Sequence, residues 1–427
     1  MSTSLACASE KEGGISRLKK ERFPETKLET SHKYIGTQKM DIPKIYGEWW
    51  GNIRGVKRGN NYSVLMHIDK VMANKRGSIS MDPQDPISIP ATAQVNITSV
   101  SCSKIEGFVN NFRGYTKDGL IKPQSTEKYQ LSSDGKFNLN IELVKPDKIK
   151  LVGEWQTNLG FEGRITLNRV YEPKAESVAN VITWSDFKKK MQDRKNYPIS
   201  TYFRGQTNSS QPLCTSFHKE DCWDLFRYHD EILPELFEHL GVLTNNIFKF
   251  GKDSDYGRPL MLAQHHGFPT PLLDWTLSPY IAAYFAFRTA PHDSNGTARI
   301  FAFHEKRWLK EQPNLSEGEL LSPKITIKPV EAHKAGNQRA LTQMATCIFS
   351  NVKNIENILT IAEFPNNEER VIDAIDPYIE LFDLSHNERD KILDDLRLMN
   401  IHEMSLFPDL DGICRMMKAK YFLKNKS

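Results

Sequence analysis

The chain has 427 residues, a length that typically divides into about two or three domains. Its formal net charge is +4, from 57 basic and 53 acidic residues, and so small a balance argues neither for nor against a nucleic-acid partner. The sequence contains no apolar run of about 18 residues and no apolar signal-peptide core near its start, so we expect no membrane span and a cytoplasmic location. No two of its six cysteines form a C-x-x-C pair, which favours free thiols over a disulfide framework or a zinc site.

The composition and hydrophobic pattern of the chain change near residue 41. Residues 1–40 are rich in Ser, Glu and Lys without apolar periodicity, a composition that predicts a mobile arm. Residues 41–175 differ, because apolar and polar residues alternate at 62–68, 94–98 and 137–143. Alternation at period two, with turn signals between the runs, predicts an antiparallel meander that closes, or nearly closes, into a β-barrel.

The triplet Gly-Glu-Trp occurs twice in this region, at 47–49 and at 153–155. A Gly-x-Trp near the start of a barrel resembles the lipocalin-like arrangement, in which the tryptophan plugs one end. Two interpretations stay open. Trp49, Trp50 and Trp155 are core residues, which is the commoner role of tryptophan, or the barrel recognises a target or a trigger ligand.

The polar segment 171–177 predicts a domain boundary, and we place a second domain at 180–427. The stretch of this domain that is richest in polar and structure-breaking residues is Gln264-His-His-Gly-Phe-Pro-Thr-Pro-Leu-Leu-Asp-Trp-Thr-Leu-Ser-Pro279. Its glycine and prolines predict a loop. Ser278 and Pro279 predict the start of a helix, with the serine as N-cap, and the apolar run after them predicts that this helix is buried. Such a stretch is either a site loop or a rigid loop held by its own hydrogen bonds.

A second candidate segment is Phe203-Arg-Gly-Gln206. Arg204 offers a rigid fork of donors suited to carboxylate or phosphate, and Gly205 lets another backbone or a ligand come close. The alternative is an arginine at a strand end, in a salt bridge. His265 and His266 are possible metal ligands, but adjacent histidines on a loop rarely ligate one ion, so we predict no metal site.

Two later segments carry local signals. Gln343 is either a polar tip that faces a site or a structural amide that satisfies backbone groups. Ser385-His-Asn-Glu388 has the form of a capping box, in which the serine and the glutamate cap the start of a helix reciprocally.

Four segments together resemble the motifs of the FRG-domain family, named for its Phe-Arg-Gly. They are Phe203-Arg-Gly-Gln206, Gln264-His-His-Gly-x-Pro-Thr…Leu-Asp-Trp-Thr-x-Ser-Pro279, Asn337-Gln-Arg…Gln343 and Leu406-Phe-Pro-Asp-Leu-Asp-Gly412. Each motif is short, and their specificity lies in their order over about residues 180–420. The resemblance does not extend to residues 1–175. It also departs at Pro271, where family members commonly carry a basic residue.

The order of these motifs in turn looks like that of the ADP-ribosyltransferase fold. The resemblance therefore implies an α+β protein, with the β-barrel followed by a mixed α+β domain built on a split β-sandwich with a cleft for NAD. The cofactor-binding residues that it implies are Phe203, Arg204, Gly205, Gln206, His265, His266, Trp275 and Tyr280. The catalytic residues that it implies are Arg204, Thr276, Ser278, Gln343 and Asp274.

The implied activity has a chemical requirement that Gln343 does not meet. Loss of nicotinamide builds positive charge on the ribose, and a nearby carboxylate stabilises that charge. Gln343 is uncharged, at the place where those enzymes have a glutamate. Asp274 is a carboxylate within the second motif, and Glu331 lies twelve residues before Gln343.

Two hypotheses follow for the function. The first is an NAD-dependent ADP-ribosyltransferase or NAD glycohydrolase that acts on a protein or nucleic-acid acceptor, as a toxin or an anti-phage defence effector. In that case the barrel recognises the target or a trigger. The second is a non-catalytic module that binds a nucleotide or a partner, which the missing glutamate favours.

Overall fold

The structure is a computed structural model. The predicted arm at 1–40, the predicted boundary at 171–177 and Glu331 lie outside the residues that it describes. The described residues are 45–57, 60–70, 76–85, 88–116, 119–121, 131–145, 148–170, 180–193, 196–198, 200–244, 247–248, 256–292, 295–310, 320–330, 338–361, 378–408, 412–414 and the single positions 417 and 421.

The first sheet is a closed antiparallel β-barrel, as the alternating runs predict. Strand β1 pairs with β9, and β4 pairs with β5, so eight strands close on themselves, while the short β6 pairs with β5 outside the ring. The strands are β1 (Gly47–Lys57), β2 (Tyr62–Ile68), β3 (Arg76–Pro83), β4 (Ala91–Val100), β5 (Lys104–Thr116), β6 (Gly119–Ile121), β7 (Asp134–Lys145), β8 (Lys148–Thr157) and β9 (Glu162–Arg169).

Strand β2 departs from simple alternation because both of its faces are covered. Val64 and Met66 belong to the core inside the barrel. Leu65 points the other way and joins the core of the second sheet, together with Trp50 of β1. Trp49 is a core residue, and its indole N–H donates to the carbonyl oxygen of Ile45 at 2.9 Å.

The second sheet is mixed, with the strand order β10-β16-β13-β11-β12-β15-β14. All of its pairs are antiparallel except β10 with β16. Its strands are β10 (Asn180–Val181), β11 (Tyr202–Gln206), β12 (Leu272–Thr276), β13 (Thr297–Phe303), β14 (Ile327–Val330), β15 (Ala345–Ser350) and β16 (Ile379–Ser385). The segment 272–276 is therefore a strand inside the sheet, where the glycine and prolines before it predict a loop.

The helices pack on both faces of this sheet. They are α1 (Trp184–Met191), α2 (Ser216–Lys219), α3 (Leu225–Arg227), α4 (Leu233–Thr244), α5 (Gly257–His265), α6 (Pro279–Phe287), α7 (Glu305–Lys310), α8 (Gln338–Thr342), α9 (Ile355–Ile361), α10 (Arg389–Leu398) and α11 (Glu403–Leu406). A π-helical turn, Tyr228–Ile232, joins α3 to α4, and a 3-10 turn, His386–Glu388, precedes α10. Among the described residues, none of the helices has the length and apolar character needed to cross a membrane.

The two faces of the sheet have separate cores. Helices α1, α6 and α10 share one core with Phe203 of β11 and Phe382 of β16. Trp275 and Phe303 lie in the core on the opposite face, which also contains Leu65 of the barrel. The α+β class and the N-terminal barrel are thus confirmed, while the resemblance to ADP-ribosyltransferases stays a prediction.

The barrel contacts the second sheet region through buried polar groups as well as apolar ones, and residues 42–427 form one compact unit. The carboxylate of Asp69, just after β2, accepts hydrogen bonds from the backbone N–H groups of Trp223 and Asp224. The carboxylate of Glu48 accepts one from the N–H of Lys353 at 2.9 Å. Arg113 binds Asp230 at 2.6 Å at the edge of the same interface.

Two carboxyl groups lie close together in this interface. Asp69 is 2% exposed and Asp224 is 1% exposed. Burial, and then the negative charge of Asp69, raise the pKa of Asp224 to about 7, although its hydrogen bonds from the N–H groups of Phe226 and Arg227 oppose the rise, as does the charge of His67. The Oδ2 atom of Asp224 is buried and has no hydrogen-bond partner among the described residues. Asp224 therefore carries a proton below neutral pH in the folded protein.

We expect the free energy of unfolding to fall as the pH rises through about 7. In the unfolded chain Asp224 loses its proton near its usual pKa of about 3.9, so between that pH and about 7 the folded state binds the extra proton and is stabilised by it. From pH 5.5 to 8.5 the loss is on the order of 2 kcal/mol, measured by urea denaturation at each pH.

Asp224→Asn keeps the acceptor that caps α3 and removes the titration, so its stability has a flatter pH profile than that of the wild type. Asp221→Asn is the matched control, because Asp221 is in the same segment, half-exposed and paired with Lys70 at 2.8 Å. An unchanged slope in Asp224→Asn contradicts the assignment.

Candidate functional site

Arg204 lies where two neighbouring strands diverge. Strand β11 pairs with β13 over all five of its residues, but with β12 only at Phe203 and Thr276. In the gap beside that pair, Nη1 of Arg204 donates to the backbone carbonyl of Asp274. Its Nε is buried and has no partner among the described residues. Burial lowers the pKa of Arg204, and Asp274 opposes this shift, but a guanidinium keeps its charge at any physiological pH.

Asp274 is exposed, and its side chain is held in place by a short chain of polar contacts. The amide nitrogen of Gln264 donates to Oδ1 of Asp274 at 2.6 Å, and the hydroxyl of Thr270 donates to the amide oxygen of Gln264. The thiol of Cys347, opposite Asp274 on β15, donates to the same carboxylate oxygen at 3.5 Å. Burial, and then the charge of Asp274, raise the pKa of Cys347, so the thiol stays neutral and serves as a donor.

Thr276 joins this group to the start of α6. It lies two residues after Asp274 on β12, so both side chains point to the same side of the strand. Its hydroxyl donates to the carbonyl oxygen of Gln343 at 2.8 Å and accepts from the N–H of Ser278 at 3.1 Å. Ser278 caps α6 by accepting from the N–H of Ile281 at 3.3 Å, as the sequence predicts.

Gln343 reaches this group through its backbone, whereas its side chain turns away. The amide nitrogen of Gln343 donates to the carbonyl oxygen of Leu406 at 3.1 Å, and the hydroxyl of Thr342 donates to the same oxygen at 3.2 Å. Met344, the next residue, has φ of 46°, a left-handed conformation that is uncommon for methionine. This turn brings the carbonyl of Gln343 to Thr276. Gln343 thus has the contacts of a structural amide.

Gly205 is required by the packing of α6. A Cβ atom added at this position would lie 2.0 Å from the carbonyl oxygen of Ala282, which is closer than any real contact. The neighbour that comes close to Gly205 is therefore the backbone of α6. A similar constraint ends the fourth motif, where a Cβ on Gly412 would lie 2.0 Å from the carbonyl oxygen of Phe407.

The aromatic candidate residues are buried or half-buried. Phe203 and Trp275 are each 3% exposed, and the indole of Trp275 packs against Phe301 and Phe303. Tyr280 is half-buried, and its ring meets that of Trp184 edge to face, with 6.1 Å between the ring centroids.

The remaining polar candidates are the two adjacent histidines and Gln206. His265 and His266 are exposed at the end of α5, with ring centroids 5.2 Å apart. The side-chain amide of Gln206 donates to the carbonyl oxygen of Gln211 at 3.0 Å. The described residues include no group of three or more His, Cys, Asp or Glu side chains arranged to hold a metal ion.

The structure therefore brings Arg204, Asp274, Thr276, Ser278 and the backbone of Gln343 together around the end of β12. We name this group the β12 site. It leaves Phe203 and Trp275 in the core. Gln264, Thr270 and Cys347 also support the site, although the sequence predicts no role in it for them. Gln264 and Thr270 were visible as members of the motif, but nothing in the sequence places Cys347 opposite Asp274.

Comparison with known proteins identifies the C-terminal part of the chain. Residues 200–295 match the family model for the FRG domain, and this segment holds the first two of the four motifs. The chain therefore contains an FRG domain. No curated protein matches the chain. Among solved structures, a de novo designed fluorescence-activating β-barrel matches with 14% identity over 30% of this chain and 94% of that chain, with a TM-score of 0.18.

Substitutions of the neighbours Gly205 and Arg204 have predicted effects on stability of very different size. Gly205→Ala forces α6 away from β11, and overpacking of this kind costs about 3 kcal/mol of unfolding free energy. Arg204→Ala removes one hydrogen bond and a buried unpartnered donor, so it changes stability by only about 1 kcal/mol. Urea denaturation of both variants measures the difference. Equal stabilities for the two variants contradict the close approach at Gly205.

Proposed function

We propose that the FRG domain binds NAD at the β12 site and transfers ADP-ribose to a macromolecule, or to water. The observation that carries the proposal is the half-buried Arg204, which has an unpartnered Nε and binds the backbone of Asp274, whose carboxylate is exposed. A fixed cation next to an accessible carboxylate suits a substrate that has an anionic diphosphate and a reacting centre that becomes positive.

The residues present fit NAD in most respects. Arg204 keeps one donor without a partner among the described residues, and Arg forks suit phosphate geometry. Ser278 and Thr276 form a polar floor at the start of α6. Of the two aromatic candidates for stacking on nicotinamide, Tyr280 is half-buried and accessible, whereas both faces of Trp275 are enclosed. We therefore assign stacking to Tyr280.

When bound, NAD supplies a glycosidic bond to nicotinamide, whose cleavage builds positive charge on the ribose. Asp274 holds a negative charge at the site, and its contacts with Gln264 and Cys347 fix where that charge lies. Arg204 fixes the backbone of Asp274 from the other side. Gln343 positions Thr276 through its carbonyl oxygen, and the charge comes from Asp274. His265 and His266 are exposed beside Gln264, where they are available to move a proton for the acceptor.

In this proposal the barrel recognises a target or a trigger, and the acceptor is a protein or a nucleic acid. An NAD-consuming activity joined to a sensing domain suits a toxin or an anti-phage defence effector, by analogy with the uses of such chemistry. The second candidate is a non-catalytic module that binds a nucleotide or a partner. The commitment of the Gln343 amide to Leu406 favours it, because no glutamate is poised at that place.

We expect the purified protein to release nicotinamide from NAD, and Arg204→Ala to lower the rate by about a hundredfold or more. Arg397→Ala is the matched control, because Arg397 is exposed and paired only with Asp394 on the surface of α10 among the described contacts. Addition of cell lysate and labelled NAD separates transfer to a macromolecule from hydrolysis. Absence of release, together with nucleotide binding that Arg204→Ala weakens, supports the binding module instead.

Asp274→Asn tests the carboxylate directly. The asparagine keeps the acceptor for Gln264 and Cys347 and removes the charge, so we expect the fold to persist and nicotinamide release to fall by about a hundredfold. A melting curve checks the fold, and the release assay checks the rate. Full activity in Asp274→Asn would show that another group stabilises the developing charge.

A further inference from the structure

The segment that runs from α2 to the π-helical turn lies between the barrel and the loop before β12. On its barrel side, Arg113 of β5 binds Asp230 at 2.6 Å, and Arg76 of β3 binds Glu231 at 3.0 Å. The guanidinium of Arg113 also lies 4.9 Å from the ring centroid of Phe226. The side chain of Arg113 is only 15% exposed, so water screens its ion pair in part. The barrel therefore holds this segment by charge.

The opposite side of the segment binds the loop before β12. The hydroxyl of Tyr228 donates to the carbonyl oxygen of Pro269 at 3.0 Å. The N–H of Phe217 donates to the carbonyl oxygen of Thr270 at 3.1 Å, and the N–H of Thr270 donates to the hydroxyl of Ser216 at 3.0 Å. Tyr228 is buried, and its ring packs against that of Phe217 with 4.9 Å between the centroids. The segment thus fixes the backbone of the loop at both of these residues.

The loop in turn positions the carboxylate of the β12 site. The hydroxyl of Thr270 donates to the amide oxygen of Gln264, whose nitrogen donates to Oδ1 of Asp274 at 2.6 Å. This pair of contacts orients the amide, because its oxygen only accepts and its nitrogen only donates. Whatever holds Thr270 in place therefore also holds the amide that binds Asp274.

Both sets of contacts meet in the π-helical turn. The N–H of Leu233 donates to the carbonyl oxygen of Tyr228, five residues earlier, whereas the N–H of Tyr228 donates to that of Asp224, four residues earlier. The turn thus holds one residue more than an α-helical turn. Such turns occur mostly singly within α-helices and are frequent at functional sites. Because the α-helical register is by far the commoner one, contacts outside the helix stabilise the wider turn.

We propose that the barrel controls the β12 site through this turn. Its two arginines stabilise the π-helical register, in which Tyr228 reaches Pro269. When the ion pairs of Asp230 and Glu231 with the barrel are lost, the turn adopts the α-helical register, Tyr228 withdraws and the loop before β12 becomes mobile. The barrel contacts thus keep the carboxylate of Asp274 fixed. The coupling between barrel and loop needs no NAD, and only its effect on catalysis rests on the proposed function.

The first test follows the loop in the native full chain by NMR. Arg76→Gln and Arg113→Gln each remove one ion pair, and the double variant removes both. Their described ion pairs go to Asp230 and Glu231, so a shift at Thr270 reports coupling through the turn. We expect the backbone N–H signal of Thr270 to move along one line in the three variants. It moves farthest in the double variant, where the share of the α-helical register rises about tenfold.

Lys70→Gln is the matched control. Lys70 belongs to the same interface and binds Asp221 at 2.8 Å, but Asp221 precedes the π-helical turn. We expect this variant to leave the Thr270 signal in place. Melting curves check that each variant is folded, and either single variant serves in case the double variant does not fold.

Nicotinamide release tests the consequence for catalysis. We expect the double variant to lower kcat for release about tenfold with little change in KM, because NAD still meets Arg204 while Asp274 is no longer fixed. Absence of release in the wild type contradicts the proposed function alone, since the NMR measurement needs no NAD.

The coupling is overturned by any of three NMR results. They are the absence of a Thr270 shift in a folded double variant, shifts of the variants that do not share a line, and an equal shift in Lys70→Gln. The first shows that the loop does not depend on the barrel, the second that the turn does not switch between two registers, and the third that the effect is not specific to the turn. An unchanged kcat in an active double variant, despite the shift, overturns the control of the site.

Discussion

The close approach of α6 to β11 at Gly205 is the constraint on which the FRG domain depends. With the carbonyl oxygen of Ala282 where a side chain would begin, the helix lies directly against the strand and buries its small residues there. A helix held so closely needs a fixed start, and Ser278 provides it by capping. Because β12 leads straight into that cap, its direction is fixed as well, and it meets β11 only at Phe203 and Thr276. The gap that holds Arg204 is thus a consequence of how tightly the helix packs.

The same geometry explains why four short, distant motifs belong together. The first supplies Arg204, which binds the backbone of the second at Asp274. The second supplies Thr276, which binds the backbone of the third at Gln343. The third supplies the Gln343 amide, which binds the backbone of the fourth at Leu406. In each contact a side chain from one motif satisfies a carbonyl of the next, so much of the polar chemistry of the motifs is structural. Asp274 differs, because its carboxylate is exposed although its position is fixed.

The sequence predicted those features that depend on neighbouring residues. The cap at Ser278, the buried helix after it and the barrel strands follow from local chemistry or period, and the structure has them. Prediction from the sequence failed where the structure of a segment depends on a partner distant in the chain. Strand β12 has only five residues and follows two prolines, so the local sequence predicts a loop there and not a strand. The capping box at 385–388 is incomplete, because the glutamate accepts a hydrogen bond from the N–H of Trp184, and Ser385 caps only a 3-10 turn. The contact of Cys347 with Asp274 depends on strand register, which one sequence does not specify.

The barrel and the FRG domain share more than an interface, because single strands belong to both cores. On β2, Met66 lies in the core inside the barrel while Leu65 packs with Phe303 and Trp275 in the core of the second sheet. Trp275 in turn lies between Asp274 and Thr276 on β12. Strand β2 is therefore separated from the strand that carries the β12 site by one layer of close-packed side chains. The buried pair Asp69 and Asp224 holds the end of the same strand. Strand β2 thus connects the two halves of the molecule along both of its faces, beside the polar contacts that Glu48 and Arg113 make across the same interface, and six of its seven residues are buried.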